Sequence, residues 1–441
     1  MKTSPAFVTC TVAVLAALLA PAPSLATIGD LTYVGCIANR GLNGCEQAPH
    51  TSLDGANDVE VSRDGKSVYV ASANAVTWFK RRSSGALVFK GCIAQDGLHR
   101  CERTRHRSLF EVPDLAVSRD GKSVYAVGLL SKSITRFRRH PNGALTYKGC
   151  FANRGAHGCK GPPRNSLGDA SGVAVSRDGR SVYVASGGHS GFPTRGQLGG
   201  NSITRFKRHS NGAISYGGCI ANNGSHGCRQ PAHNSLYGLS GVTVSPDGES
   251  VYVASATGIT AFKRSGNGAL TYRGCFANQG HHGCQVATLD SLRRSRDVAV
   301  TPDGSSLYVA SNGALTTFGR SGNGALTYRG CFANKGDNGC APPIHNSLRY
   351  PNDLAISRDS ESVYVASIVA SSVTAFRRAP DGALTDVDCV ANHGGRGCRF
   401  PLHDSLGLAT GVAVSRDGRS VYVVAGKGRS ITLFSRESSE P

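Results

Sequence analysis

Apolar residues along this chain fall in short alternating runs rather than at the three-and-four spacing of an amphipathic helix. Four such runs follow one another in a representative stretch: DLAVS at 114–118, SVYAV at 123–127, SITRFRR at 133–139 and GALTYKGC at 143–150. β-Branched and aromatic residues dominate them, and Asp-Gly or Asn-Gly pairs stand between them, which is the pattern of strands joined by tight turns. The quartet, a to d, recurs along the chain, and cysteines mark its period. Seven copies of Cys-x8-Cys occur: Cys36 and Cys45, Cys92 and Cys101, Cys150 and Cys159, Cys219 and Cys228, Cys275 and Cys284, Cys331 and Cys340, and Cys389 and Cys398. Their leading cysteines are 56, 58, 69, 56, 56 and 58 residues apart, too long for a helical solenoid and suited to a four-stranded unit.

The ends of the chain are complementary. Strand d comes first, as DLTYVGC at 30–36, while the last unit has GVAVS, SVYVV and SITLF and then stops. An N-terminal strand that completes the last unit would give seven full blades and leave no open sheet edge. The predicted fold is therefore all-β: a seven-bladed β-propeller of four antiparallel strands per blade. Alternate connections must then emerge on opposite faces. The short a-to-b turns (SRDG, SPDG) and c-to-d turns share one face, and the long d-to-a loops with their cysteines share the other with the b-to-c loops. The b-to-c segment 187–201 alone is expanded, which makes it a candidate lid or specificity loop.

Residues 1–26 read as an export signal, with Lys2, an apolar run from Ala6 to Ala20 and a Ser24-Leu25-Ala26 cleavage site; 27–441 then form a single propeller domain. Export would carry the paired cysteines into an oxidising compartment, so they read as seven local disulfides in a secreted, extracellular or periplasmic protein. No stretch beyond the signal approaches the ~20 apolar residues of a membrane span. A closed ring is expected to be a monomer.

Most of the recurrent polar residues read as scaffold. Asn39, Asn153, Asn222, Asn278, Asn334 and Asn392, with Gln95 in the remaining copy, hold the fourth place of the disulfide loops and suggest turns in which the side chain bonds its own backbone. His99, His157, His226 and His282 recur in the same loops. His50, His106, His233, His345 and His403 each precede a serine in H-x-S-L. A catalytic pair is normally single and oriented by a third group, so repetition argues against nucleophilic chemistry, and no clustered spacing supports zinc.

Candidate chemistry lies instead with four acids that open strand a and with departures from the repeat. Asp58, Asp114, Asp297 and Asp353 should stand at the channel mouth, where Gly172, Gly241 and Gly411 replace them in the other blades. They would cap unpaired backbone amides of a neighbouring loop, or hold Ca²⁺ through hard oxygen ligands; no other cofactor is expected. Glu60 occupies a slot that is alanine or threonine elsewhere and suggests a salt bridge at the closing seam. Glu111, Glu102 and the pair His281 and His282 are further single polar groups on the loop face, and Trp78 in strand c reads as packing. The net charge of +20 comes from 49 Lys and Arg against 29 Asp and Glu. Much of it, as in Lys80-Arg81-Arg82, Arg138-Arg139 and Lys207-Arg208, should form a solvated basic rim able to attract anionic polymers or glycans. Export and the lack of a nucleic-acid motif argue against specific nucleic-acid readout.

The recurring V-S-[RP]-D-G-x-S-V-Y-V-A-S, followed by I-T-x-F-x-R and G-A-L-T-Y, resembles the repeats of the seven-bladed lactonase-like propellers and the related YVTN-type surface and secreted propellers. The resemblance covers essentially the whole mature chain but consists of strand and turn residues. It implies the propeller fold, and for an enzyme it would imply hydrolysis of a small lactone, as in 6-phosphogluconolactonase-like members. No catalytic His, Glu or Arg of that family matches a position here. The expectation is therefore a secreted binding or interaction protein using its disulfide-stiffened loop face, with an extracellular glycan, anionic polymer or protein as partner. The alternative is a lactonase-type hydrolase in which Asp58, Asp114, Asp297, Asp353, Glu60 or Glu111 serves as base or metal ligand and Arg296 binds a substrate carboxylate.

Overall fold

The computed structural model describes residues 28–187, 200–287 and 289–438, so the export signal and most of the expanded 187–201 segment lie outside the described residues. Seven sheets form the ring. Blade 1 comprises Asp58–Val61, Ser67–Ala71, Ala75–Arg81 and Leu87–Ala94, and blade 2 Asp114–Val117, Ser123–Gly128, Ser133–Arg139 and Leu145–Ala152. Blades 3 to 6 repeat this order from Ala170, Val242, Asp297 and Pro351. Blade 7 takes three strands, Ala409–Val414, Ser420–Ala425 and Ser430–Arg436, from the C-terminal end of the chain. Leu31–Asn39 completes it, antiparallel to Ser430–Arg436 with Leu31 opposite Arg436 and Ala38 opposite Ser430.

The hydrophobic core lies between blades. Strand b of every blade buries one tyrosine completely: Tyr69, Tyr125, Tyr183, Tyr252, Tyr308, Tyr364 and Tyr422. Each phenol donates to the carbonyl of a glycine in the turn of the following blade, Tyr69 to Gly143 at 2.8 Å and Tyr422, across the closing seam, to Gly85 at 2.6 Å. Trp78 is buried in the core shared by blades 1 and 2, as its packing role requires.

The same tyrosines receive an arginine from that following blade, and this corrects the picture of a wholly solvated basic rim. Arg139 donates through Nε to Tyr69 at 2.6 Å and through Nη2 to both carboxylate oxygens of Asp64 at 3.0 and 2.8 Å. Its side chain is 4% exposed. Arg81, Arg208, Arg264, Arg320, Arg378 and Arg436 make the equivalent ion pair to an Asp in the a-to-b turn of the preceding blade. The S-R-D-G turn therefore has two jobs. Its Asp fixes the turn, as Asp64 does by accepting from Ser62 and the Lys66 amide, and also clasps the next blade. Lys80, Arg138 and Lys207, one position before the buried arginines, do remain exposed.

All seven expected disulfides form, each within its own loop. Cys36 bonds to Cys45, Cys92 to Cys101, Cys150 to Cys159 and Cys219 to Cys228. Cys275 bonds to Cys284, Cys331 to Cys340 and Cys389 to Cys398. The Cα atoms of every pair lie 4.9 to 5.0 Å apart. Twelve of the fourteen cysteines are buried and Cys101 and Cys219 are partly buried, so the bridges act as structural pins under the loops. His99, His157, His226 and His282 occupy left-handed backbone positions at φ 60–62°, and Asn43 and Asn338 take the same place in two other loops. Asn and His tolerate that conformation better than most residues, so backbone geometry accounts for the histidine recurrence.

The loop asparagines are structural, but their partner differs from the one expected. Asn39 accepts from the amide of Leu53 at 3.1 Å, and Asn153, Asn222, Asn278, Asn334 and Asn392 each accept from a leucine amide fourteen residues on, tying the disulfide loop to the segment that enters the next blade. The H-x-S-L serines are likewise buried scaffold: Ser52, Ser108, Ser235, Ser347 and Ser405 each accept from a strand-c threonine at 2.7–2.8 Å.

Candidate sites at the two ends of the channel

Strand a lines the central channel, so its alternate residues set the channel's chemistry. At the loop-face end, Asp58, Asp114, Asp297 and Asp353 come together with Glu111 and Arg296 around a cavity of about 160 Å³. Each of the four aspartates accepts the backbone amide of the next blade: Asp58 from Leu115 at 3.0 Å, Asp114 from Val173 at 2.6 Å, Asp297 from Leu354 at 3.2 Å and Asp353 from Val412 at 2.7 Å. The remaining seams use a hydroxyl in the opposite sense, as Ser171 to the Leu239 carbonyl, Ser240 to Ser295 and Thr410 to Ala56. Glycine replaces the acid in those blades because the channel is tight there: a Cβ at Gly172 would lie 2.4 Å from the Ser240 carbonyl oxygen.

The acids also pair sideways, Asp58 with Asp114 and Asp297 with Asp353. Burial pushes the Asp58 carboxyl up to about 6. Burial and the facing carboxylates drive Asp114 and Asp353 well above the ordinary range. Carboxylates this close oppose each other's ionisation, so in each pair burial and the facing charge both favour the protonated form of one member. Burial raises Glu111 as well. Arg296 lies 4.9 Å above the Tyr350 ring and donates to its hydroxyl at 3.0 Å. Burial would raise that phenol, but Arg296 and Arg294 hold it below its usual value. Sequence reasoning misses Tyr350; its signal is only that it is a tyrosine absent from the repeat pattern. Among the described residues no three His, Cys, Asp or Glu side chains converge as a metal site.

Glu60 stands apart from this group. It makes no ion pair among the described residues and lines a second cavity, of about 770 Å³, that opens toward the short-turn face. The expected salt bridge at the seam is thus absent, because strand a turns this position into the channel and away from the neighbouring blade. Burial, reinforced by Asp58, lifts its carboxyl from the ordinary 4.5 to about 8. The folded state therefore binds this proton more tightly than the unfolded chain does. The resulting stability is complete below about pH 4.5 and is lost as pH rises through 8. Glu60→Gln, which cannot ionise, should match the parent in urea unfolding at pH 5 to within about 1 kcal/mol and exceed it by on the order of 3 kcal/mol at pH 9. Parallel stabilities at both pH values would mean that channel water already solvates the carboxylate.

Five arginines surround the same cavity: Arg63, Arg119, Arg177, Arg358 and Arg416. They occupy the second position of the S-R-D-G turns (S-R-D-S in blade 6), one residue before the clasping Asp. Read from the sequence they belong to the diffuse basic charge of the short-turn face, and the alternation of SRDG with SPDG is the available signal that they form a group of their own.

No protein-family model matches the chain, and no curated protein is similar to it in sequence. Its fold does match solved structures. The periplasmic gluconolactonase of Pseudomonas aeruginosa superposes with a TM-score of 0.51 at 14% identity, over 76% of this chain and 84% of that one. A Bacteroides uniformis protein provisionally assigned as a 6-phosphogluconolactonase gives 0.52 at 16%, over 75% and 83%. The β-propeller domain of Myceliophteria thermophila Cps50 gives 0.58 at 8%, over 92% and 100%. Such identities establish the fold alone. The chain is a seven-bladed β-propeller with a disulfide in each of its seven d-to-a loops.

Proposed function

We propose that this protein is an exported, non-enzymatic binding propeller that engages another protein through its disulfide-stiffened loop face. The observation that carries this reading is where the exposed large apolar side chains fall. Eleven of the twelve among the described residues lie in d-to-a connections or b-to-c turns, Val34 being the exception; Ile344 and Leu402 reach 75% and 72% exposure, and Phe110, Tyr237 and Phe400 accompany them. Apolar groups gathered on one face of a soluble scaffold mark an interaction surface. Seven local disulfides hold those loops in place, which lowers the ordering cost of association. The disulfides support export, as does the export-signal pattern of residues 1–26, and no helix among the described residues is long and apolar enough to cross a membrane.

A lactonase-type hydrolase at the loop-face cavity is the second reading, supported by the two aspartate pairs beside Arg296, whose carboxyls burial raises above the ordinary range. A pH-stat assay with aldonolactones and acyl-lactones, with and without Ca²⁺, separates the two. The parent protein should consume no base above background, while the double variant Ile344→Asp with Leu402→Asp should lose retention of envelope and secreted proteins that the oxidised parent captures. Lactone turnover that disappears in Asp114→Asn would replace the binding reading with the enzymatic one.

A further inference from the structure

The arginines at the short-turn end of the channel form a charged arrangement that neither the fold nor the loop face requires. Arg358, Arg416, Arg63, Arg119 and Arg177 belong to blades 6, 7, 1, 2 and 3, which are consecutive around the closed ring. Blades 4 and 5 carry Pro246 and Pro302 in their place. The result is a continuous arc of five guanidinium groups with one open side. Both residue types are accepted by the turn, since all seven turns keep the same clasping Asp. Turn geometry therefore does not explain why five blades place a cation here.

These arginines differ from the buried arginines of the clasps in having no carboxylate partner. Among the described residues none of the five takes part in an ion pair, and the one hydrogen bond made by their side chains runs from Arg119 to the Arg177 carbonyl, at 3.4 Å. Partial burial and the neighbouring Arg119, Arg177 and Arg358 make the charge on Arg63 harder to hold, and Arg416 is affected in the same way. Unpaired like charges gathered round one cavity destabilise the protein until a counter-charge arrives. The acids that also line the cavity do not supply it: Asp303 and Asp359 are taken up by Arg378 and Arg436, and Glu60 keeps its proton at neutral pH. A second basic residue, three positions after the arginine, backs the same side of the ring, as Arg419, Lys66, Lys122 and Arg180 in blades 7, 1, 2 and 3, whereas blades 4 and 6 have Glu249 and Glu361 there.

We infer that the arginine-lined cavity at the short-turn end of the channel is a binding site for one compact polyvalent oxyanion, carrying several phosphate- or sulfate-type groups. Planar guanidinium forks match such oxygens two at a time, and groups distributed over an arc favour several linked anionic centres over a single one. The cavity, about 770 Å³, lies within the range of sites for ligands of small-molecule size. This site is independent of the loop-face reading and at the opposite end of the channel from the aspartates.

Isothermal titration of the oxidised protein with tripolyphosphate, in physiological salt, tests the inference. One molecule should bind per chain, at least about tenfold more tightly than inorganic phosphate, as expected when additional charge-assisted hydrogen bonds form. The double variant Arg63→Ala with Arg119→Ala should weaken tripolyphosphate by about a hundredfold or more while leaving the melting temperature unchanged or higher, because the removed charges repel their neighbours. The double variant Lys80→Ala with Arg138→Ala removes the same net charge from the exposed rim and should bind like the parent. Absence of saturable binding would overturn the inference, and so would equal losses in the two double variants. Binding confined to long-chain polyphosphate with several protein molecules per chain would do the same, since it would show only surface attraction.

Discussion

Complete reduction should unfold this propeller under conditions in which the oxidised protein is stable. Each bridge closes a loop of ten residues and restrains the unfolded chain by roughly 2.7 kcal/mol in the chain-entropy treatment, so seven together reach about 19 kcal/mol. That exceeds the 5–15 kcal/mol of net stability typical of folded domains. Guanidinium titrations of the oxidised protein and of the protein held in excess reductant should therefore differ by most of the oxidised protein's stability. Removing one bridge alone, by Cys92→Ser with Cys101→Ser, should cost about 2–3 kcal/mol, and the other six should still form, because each lies within its own loop. Equal midpoints for oxidised and reduced protein would show that the bridges shape the loops and do not hold the ring.

Arg139→Met should cost about 3–5 kcal/mol, far more than loss of a surface ion pair, because it strands partners inside the seam between blades 1 and 2. The side chain it removes serves Asp64, Tyr69, Ser67 and the Gly121 carbonyl at once. Arg81→Met should match it, since Arg81 bridges blade 1 to Asp417 and Tyr422 of blade 7 in the same way. The loss also has a pH signature. Asp64 experiences burial that would raise its carboxyl, yet Ser62, the Lys66 amide and Arg139 together hold it below the ordinary range. Its contribution is full above the ordinary carboxylate pKa and disappears as pH falls through the lowered folded value. Chemical unfolding of Arg139→Met should accordingly show a shallower acid limb than the parent. A loss under about 1 kcal/mol would place these clasps with ordinary surface pairs.

The ring of clasps also bears on the two ends of the channel. Because the Asp of each S-R-D-G turn is held by the next blade, the arginine just before it is carried to the channel mouth on a fixed backbone. Charge that would be diffuse on a mobile loop is thereby concentrated around one cavity. At the other end, the aspartates combine structural and titratable character: each anchors a neighbouring amide, and burial lifts its carboxyl above the ordinary range. A substitution there, such as Asp114→Asn, keeps an acceptor for the Val173 amide and so separates the two roles.

Much of the architecture is written along the chain. Strand alternation, the period of the Cys-x8-Cys pairs and the complementary ends required seven blades and a shared closing blade, because each of these is a local pattern whose meaning does not depend on distant contacts. The disulfide pairing was equally local: Cys45, Cys101, Cys159, Cys228, Cys284, Cys340 and Cys398 each meet the cysteine nine positions before them. Repetition marked the His and Ser positions as scaffold, and left-handed loop geometry and strand-c hydrogen bonds supply the reason. The four strand-a aspartates do meet around one channel.

What the sequence could not rank was the partnership between blades. Arg81, Arg139 and Arg208 read as rim charges like their neighbours Lys80, Arg138 and Lys207, since alternation alone does not say which of two adjacent cations meets an Asp that, for Arg139, lies 75 residues earlier. Glu60 and the five turn arginines likewise acquired a common cavity only when seven strands a converged on one axis. Convergence of that kind is a property of the closed ring: it brings together residues that lie in different repeats, and no single repeat contains it.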